Sequence, residues 1–160
     1  MIDHSLIPGI AGKLQSKRLK LATVESCTGG WLAMILTSLA GSSHWFERGF
    51  VTYSNEAKQE CVGVPADLIR QHGAVSEVVA MAMADGGLNH SRADIVLAIT
   101  GIAGPGGAMP GKPVGTICFA IAGVGEFSGS WCNRFEGDRR AIREQSVNAI
   151  LGRLSEILEI

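Results

Sequence analysis

The stretch Val-Glu-Ser-Cys-Thr-Gly-Gly, residues 24–30, organises the rest of the chain. A run typical of a β-strand, 19–24, leads into it, and a helical run, 31–39, leads out. Such a turn exposes free N–H groups at the start of a helix, and glycines let the backbone approach a ligand closely. Ser26 is therefore a candidate nucleophile. The same residue types also occur in an ordinary strand-to-helix turn with a Ser or Thr N-cap, so local chemistry leaves both interpretations open.

Length and composition predict one globular domain covering residues 1–160. Hydrophobic residues make up 46% of the chain and charged residues 18%. The net charge of −1, without a basic run, argues against a nucleic-acid or membrane-surface protein. The N-terminus shows no secretory signal, and no apolar stretch reaches the roughly 18 residues that a membrane span needs.

The four cysteines, at positions 27, 61, 118 and 132, lack the spacing of a zinc site. Cys118 lies in an apolar run and is expected in the core. We therefore expect a cytoplasmic protein with reduced cysteines and no metal. Trp45, Phe46 and Trp131 are candidates either for the core or for the interface of a homo-oligomer, with a dimer as the first expectation.

Helical and strand patterns alternate along the chain and predict a three-layer α/β/α sandwich with a mixed, mostly parallel sheet. Gly41 is a plausible residue to close the second helix. The last two strands are expected to form a hairpin across residues 123–125. The predicted helices are 4–18, 31–39, 54–61, 65–73, 76–87 and a long one that begins at Asp138, and the predicted strands are 19–24, 45–53, 94–100, 114–122 and 126–135.

The loop 101–113 is rich in glycine and proline. Glycine opens backbone N–H groups to an anion, and proline stiffens a loop. The loop lacks the spacing of a dinucleotide fingerprint, and no Gly-Lys-Ser/Thr closes it as in a phosphate-binding Walker loop. Long loops without secondary structure tend to be functional, so we expect it to bind an anion or ligand.

A serine nucleophile needs a base, and Lys58 is the best candidate. It follows the strand that ends at Tyr53, and parallel strands would bring both residues to the same sheet edge as Ser26. A lysine can act as a base when burial lowers its pKa. The four histidines (4, 44, 72 and 90) do not follow strand ends. A solvated Lys58 and a half-buried packing role for Tyr53 are the alternatives.

Three arginines, Arg139, Arg140 and Arg143, open the last helix. Cations at a helix start oppose the helix dipole. They are either solvated charges, or one of them pairs with a phosphate, for which arginine is well shaped.

Six motifs in order across nearly the whole chain resemble the CinA C-terminal domain family. They are residues 24–30, 53–58 (Tyr-Ser-Asn-Glu-Ala-Lys), 73–76, 100–107 (Thr-Gly-Ile-Ala-Gly-Pro-Gly-Gly), 112–116 and 137–139 (Gly-Asp-Arg). That family includes nicotinamide-nucleotide amidases. Its longer members carry a further N-terminal domain for which 160 residues leave no room, so that domain's pyrophosphatase activity is not expected.

The resemblance implies deamidation of nicotinamide mononucleotide to nicotinate mononucleotide and ammonia by a Ser-Lys mechanism, without a metal or cofactor. It implies Ser26 as nucleophile, Lys58 as base and Tyr53 as an assisting residue. Backbone N–H groups from Thr28 to Gly30 would form an oxyanion hole or a phosphate cradle. The expected substrate-binding residues are Thr28, Gly29, Gly30, Asn55, Thr100, Gly101, Gly104, Gly106 and Arg139.

The sequence departs from the family pattern at two places. Val24 stands where alanine is usual, and Ala108, Met109 and Gly111 replace a Gly-Thr pair and an acidic residue in the glycine-rich loop. Met109 makes that rim more apolar, which bears on substrate preference. Two other functions stay open: a non-catalytic nucleotide-binding module, and an accessory protein in competence or DNA damage. The net charge of −1 speaks against direct DNA contact.

Overall fold

The computed structural model describes residues 1–123 and 128–160, and five strands and six α-helices lie in those residues. The strands are β1 (Leu21–Glu25), β2 (Phe46–Val51), β3 (Ile95–Gly101), β4 (Thr116–Gly123) and β5 (Gly129–Arg134). The helices are α1 (Leu6–Ser16), α2 (Trp31–Leu36), α3 (Asn55–Val62), α4 (Ala66–His72), α5 (Glu77–Asn89) and α6 (Arg139–Ile157).

The strands form one sheet in the order β2-β1-β3-β4-β5. β1 pairs in parallel with both β2 and β3, whereas β4 runs antiparallel to β3 and to β5. Four of the five described strands therefore point the same way, and the predicted mixed, mostly parallel sheet is confirmed. β1 lies between two parallel neighbours, so the ends of β1, β2 and β3 meet at one edge.

Alternate side chains of the central strands enter two separate cores. Leu97 and Phe119 pack with α1, α2 and α6, whereas Ala98 and Ala120 pack with α3, α4 and α5. This follows from the two-residue period of a strand, which sends neighbouring side chains to opposite faces. Both faces are covered by helices, which confirms the predicted three layers.

Helix α2 ends at Leu36, three residues before the predicted end. The hydroxyl of Thr37 donates to Ala33 O at 2.8 Å and that of Ser38 donates to Ile35 O at 2.7 Å. These local hydrogen bonds compete with continuation of the helix. Gly41 does not close α2; it precedes a 3₁₀ turn, Ser42–His44, with a φ of 84°.

Side-chain caps stand at three of the predicted helix starts. Ser54, Ser76 and Asp138 accept hydrogen bonds from backbone N–H groups three residues later, at 3.0, 3.2 and 2.8 Å. The strand predicted at 126–135 is observed as β5, Gly129–Arg134. Gly125 in the predicted hairpin turn and Glu126 at the predicted strand start lie outside the described residues.

A disulfide joins Cys118 to Cys132, so the expectation of reduced cysteines is wrong for this pair. The two residues are direct partners in the antiparallel β4–β5 register, with their Cα atoms 4.1 Å apart. Spacing in the sequence does not show this register. Cys118 is buried in the core as predicted, and Cys27 and Cys61 are free thiols.

Trp45, a candidate interface residue, is fully buried in the core. Phe46 and Trp131 are half-buried and pack against the same core. Within residues 1–123 and 128–160, none of the helices has the length and hydropathy of a membrane span.

Candidate active site

The structure brings Ser26 and Lys58 into contact at the end of the parallel strands. Ser26 directly follows β1, and Lys58 lies in the first turn of α3, the helix that follows β2. The Nζ atom of Lys58 lies 2.9 Å from Ser26 Oγ. Only 7% of Ser26 and 1% of Lys58 are exposed. This is the distance at which a base takes the proton of a hydroxyl.

Lys58 is a buried lysine with neutral acceptors around it. Its Nζ donates to Thr52 O at 2.9 Å and to Tyr53 O at 3.1 Å. It makes no ion pair with a carboxylate in the part of the chain that the structure describes. Burial lowers the pKa of Lys58, and the nearby Cys27 thiol opposes this more weakly.

Burial favours the neutral form of this amine, which can keep both of its carbonyl contacts. Nζ donates to Ser26 Oγ, Thr52 O and Tyr53 O, and the Ser26 hydroxyl donates to Tyr53 O at 3.3 Å. Once Lys58 is neutral, two N–H groups still serve the carbonyl oxygens of Thr52 and Tyr53, and the lone pair is available to the Ser26 hydroxyl when that hydroxyl turns toward it. The geometry therefore suits general-base activation of Ser26.

Residues 26–30, here called the nucleophile turn, are held by Glu25, a residue that the sequence interpretation did not single out. The Glu25 carboxylate is 1% exposed. It accepts from Thr28 Oγ1 and Leu32 N at 2.8 Å and from Ala33 N at 3.0 Å. A carboxylate one residue before a turn that leads into a helix is the signal that could have revealed this role, because helix N-termini favour anions.

The alternative interpretation of this turn, a Ser or Thr N-cap for α2, does not hold. The N-cap is Gly30, with a φ of 96°, and it makes no side-chain cap. Glu25 supplies the cap instead by occupying the first N–H groups of α2. These groups are consequently not free for a phosphate.

Backbone donors remain beside Ser26. Gly29 N–H donates to Ser26 O at 3.0 Å. No acceptor for the N–H groups of Thr28 or Gly30 occurs among residues 1–123 and 128–160. Thr28 lies two residues after Ser26, close to where donors for an oxyanion are needed.

Cys27 is unsuited to be the nucleophile. Its side chain packs in the core shared by α1, α2 and α6, and 6% of the residue is exposed. Burial raises the pKa of its thiol to about 12. A reactive cysteine needs a thiolate, so Cys27 is a packing residue.

The Tyr53 side chain does not contact Lys58 by hydrogen bonds; only its backbone carbonyl does. Its hydroxyl accepts from Arg139 Nη2 at 2.9 Å, and Arg139 Nη1 donates to Gly104 O at 2.7 Å. Tyr53 is 58% exposed. Arg139 thus joins Tyr53 to the glycine-rich loop at the side of the Ser26–Lys58 pair.

The other predicted binding residues differ in access. The hydroxyl of Thr100, 1% exposed, donates to Ala74 O at 2.8 Å. Asn55 is the exposed first residue of α3, and Gly106 is exposed with open space around its Cα. Gly101 ends β3, and a Cβ at Gly104 would lie 2.5 Å from Val114 Cγ1, so Gly104 is required for packing.

The glycine-rich loop is fixed at its far end. Met109 and Lys112 exchange two backbone hydrogen bonds of 2.9 Å, and Lys112 Nζ donates to His72 O at 2.7 Å. Met109 is 46% exposed, so the departure from the family pattern lies on an accessible rim.

Arg143 differs from its two neighbours in α6. Its Nε and Nη2 donate to Cys27 O and Thr28 O, each at 3.1 Å, and its guanidinium lies 5.2 Å from the centroid of the Trp31 ring. Arg140 instead is exposed and pairs with Glu144. A cavity of about 340 Å³ adjoins the nucleophile turn and is lined by Thr28, Gly29, Gly30, Trp31, Met34 and Arg143.

Comparisons with known proteins agree with this architecture. A PncC nicotinamide-nucleotide amidohydrolase of Shigella flexneri is 52% identical over 134 residues, 84% of this chain and 81% of that protein. A CinA-like protein of Syntrophobacter fumaroxidans is 46% identical over 98% of this chain. The chain spans only 37% of the length of that relative and 36% of one from Symbiobacterium thermophilum.

Solved structures of this type superpose closely. A CinA superfamily protein from Klebsiella pneumoniae has a TM-score of 0.92 at 38% identity, over 98% of this chain and 97% of that one. The competence/damage inducible protein CihA from Agrobacterium tumefaciens has a TM-score of 0.90 at 37% identity, over 100% and 99%. The family model for the CinA C-terminal domain matches residues 3–158, and the chain belongs to that family.

Proposed function

We propose that this chain hydrolyses the carboxamide of nicotinamide mononucleotide to nicotinate mononucleotide and ammonia. The observation that carries the proposal is the 2.9 Å contact between Ser26 Oγ and the buried Lys58 Nζ. The reaction and substrate class come from the PncC amidohydrolases that are about half identical to this chain.

In the first half-reaction, neutral Lys58 takes the Ser26 hydroxyl proton while Oγ attacks the carboxamide carbon. The C=O π bond opens to an oxyanion, which accepts from backbone N–H groups of the nucleophile turn. The C–N bond then breaks, and Lys58 returns the proton to the leaving nitrogen, which departs as ammonia. An acyl ester on Ser26 remains.

In the second half-reaction, Lys58 takes a proton from water, and the hydroxide attacks the ester carbon. Collapse of the second oxyanion breaks the ester bond, and Lys58 protonates Ser26 Oγ. The acid product leaves and the enzyme returns to its first state. In this account Arg139 and Tyr53 bind the nucleotide beside the glycine-rich loop.

The experiment is incubation of the protein with nicotinamide mononucleotide, with ammonia and nicotinate mononucleotide measured together. We expect both products in equal amounts from the wild type and neither from Ser26→Ala. Binding of the nucleotide without ammonia release by the wild type would favour a non-catalytic nucleotide-binding module.

A further inference from the structure

Arg143 holds two successive carbonyls of the nucleophile turn. Nε donates to Cys27 O and Nη2 to Thr28 O, each at 3.1 Å. Its planar guanidinium also lies over the Trp31 ring, 5.2 Å from the ring centroid. Two donors on one planar group, together with the ring beneath it, restrict where this group can lie.

The two carbonyls determine where the N–H groups of the turn point. A trans peptide is planar, so its N–H lies opposite its C=O. Because Arg143 draws Cys27 O toward α6, the N–H of Thr28 points away from α6. Lys58 lies on α3, which covers the opposite face of the sheet.

The Thr28 N–H is thus directed toward the side on which Ser26 meets Lys58. It finds no acceptor within the described parts of the chain, whereas the neighbouring Gly29 N–H donates to Ser26 O. A buried donor without a partner beside a nucleophile is suited to an oxyanion.

We infer that Arg143 is a positioning residue that orients the Thr28 N–H toward the oxyanion formed when Ser26 attacks the amide. This inference rests on the proposed amidase function. Arg143 acts through the backbone and touches neither the reacting carbonyl nor the leaving nitrogen. Direct binding of the substrate phosphate by Arg143 is the competing role, and the experiment separates the two.

The first measurement compares Arg143→Lys with Arg140→Lys, an exposed neighbour in the same helix. Lysine keeps the charge but cannot hold both carbonyls with one planar fork. We expect Arg143→Lys to lower kcat roughly 10- to 100-fold and to leave KM within about threefold, since an oxyanion donor acts on the transition state. Arg140→Lys should match the wild type.

The competing phosphate role predicts a different pattern. KM would rise at unchanged kcat, and competitive inhibition by ribose 5-phosphate would weaken in Arg143→Lys. Either result would overturn the inference.

Chemical rescue of Arg143→Ala gives a second measurement. We expect millimolar guanidinium to restore part of kcat and methylammonium to restore none. Absence of guanidinium rescue, together with an unchanged kcat in Arg143→Lys, would contradict the positioning role of Arg143.

An amide NMR comparison tests the same inference without turnover. The Thr28 and Gly29 amide signals should shift or broaden in Arg143→Lys and stay unchanged in Arg140→Lys. Unchanged signals in both variants would overturn the positioning role. A wild type that releases no ammonia would instead refute the proposed function, and the NMR result would still decide whether Arg143 fixes the turn.

Discussion

Lys58 Nζ and Ser26 Oγ lie 2.9 Å apart although 32 positions separate them in the chain. Parallel pairing of β1 with β2 brings them together, because it places the residues that follow both strands at the same sheet edge. Lys58 is 1% exposed and has no carboxylate partner among the described residues. The contact therefore depends on the fold, and the burial of Lys58 favours its neutral form.

Replacement of the nucleophile should abolish turnover without unfolding the protein. We expect Ser26→Ala to lower kcat by about a thousandfold or more, because the covalent route is lost. Cys27→Ala, next to it, should keep most of kcat, since the Cys27 thiol is buried and its pKa is raised to about 12. Near-wild-type ammonia release by Ser26→Ala would contradict the assignment.

The pH dependence of kcat/KM should show the deprotonation of Lys58. Activity should rise with pH through the Lys58 pKa, which burial sets below the ordinary value of 10.5. Lys58→Met should lose activity at every pH, and the exposed Lys17→Met should keep the wild-type profile. A flat profile, or a rise centred at or above the ordinary lysine value, would count against Lys58 as the base.

Lys58 should also make the stability of the fold depend on pH. Its pKa in the folded state lies below its ordinary value of 10.5 in the unfolded chain. Between these two values the unfolded chain binds more protons, so the free energy of unfolding rises with pH. Chemical denaturation from pH 7 to 10 should show the wild type gaining stability relative to Lys58→Met; a pH-independent difference would refute the lowered pKa.

Removal of the buried cap should destabilise the fold. Glu25→Ala leaves the N–H groups of Leu32 and Ala33 and the Thr28 hydroxyl without their acceptor. We expect a loss of about 2–3 kcal/mol in the free energy of unfolding, because hydrogen bonds to a buried charge are strong. Glu56→Ala, an exposed control in α3, should change it by less than about 0.5 kcal/mol. Equal effects would show that Glu25 is not the cap.

Tyr53 and Arg139 should act as one unit. The Tyr53 hydroxyl accepts from Arg139 at 2.9 Å, so Tyr53→Phe and Arg139→Lys remove the same contact. Their effects on kcat/KM should be non-additive in a double-mutant cycle, with a coupling energy of about 0.5–3 kcal/mol. Strict additivity would show that the contact does not contribute to turnover.

The sequence predicted the layers, the mixed sheet and the elements that carry Ser26 and Lys58. The apolar run of β3 and the helical spacing around it are local patterns that do not depend on register. The helix starts predicted at residues 54, 76 and 138 rest on equally local signals, and Ser54, Ser76 and Asp138 form side-chain caps there.

The features that were missed depend on tertiary geometry. The Cys118–Cys132 disulfide requires the β4–β5 register, which spacing does not reveal. The cap by Glu25 depends on how its carboxylate folds back to accept from backbone N–H groups of α2, such as that of Leu32. The contact of Tyr53 with Arg139 joins positions 86 apart in the chain. The Gly-Asp-Arg motif marks Arg139, but no local pattern marks Arg143. Only its contacts with the nucleophile turn reveal its role.

The most direct test of the Ser-Lys account is identification of the covalent intermediate. Wild-type protein turning over nicotinamide mononucleotide is quenched in acid, digested and analysed by mass spectrometry with fragmentation of the peptide that contains residues 24–30. We expect an acyl group on Ser26 in the wild type and none in Ser26→Ala. An acyl group on Cys27, or turnover in Ser26→Ala at the wild-type rate, would contradict it.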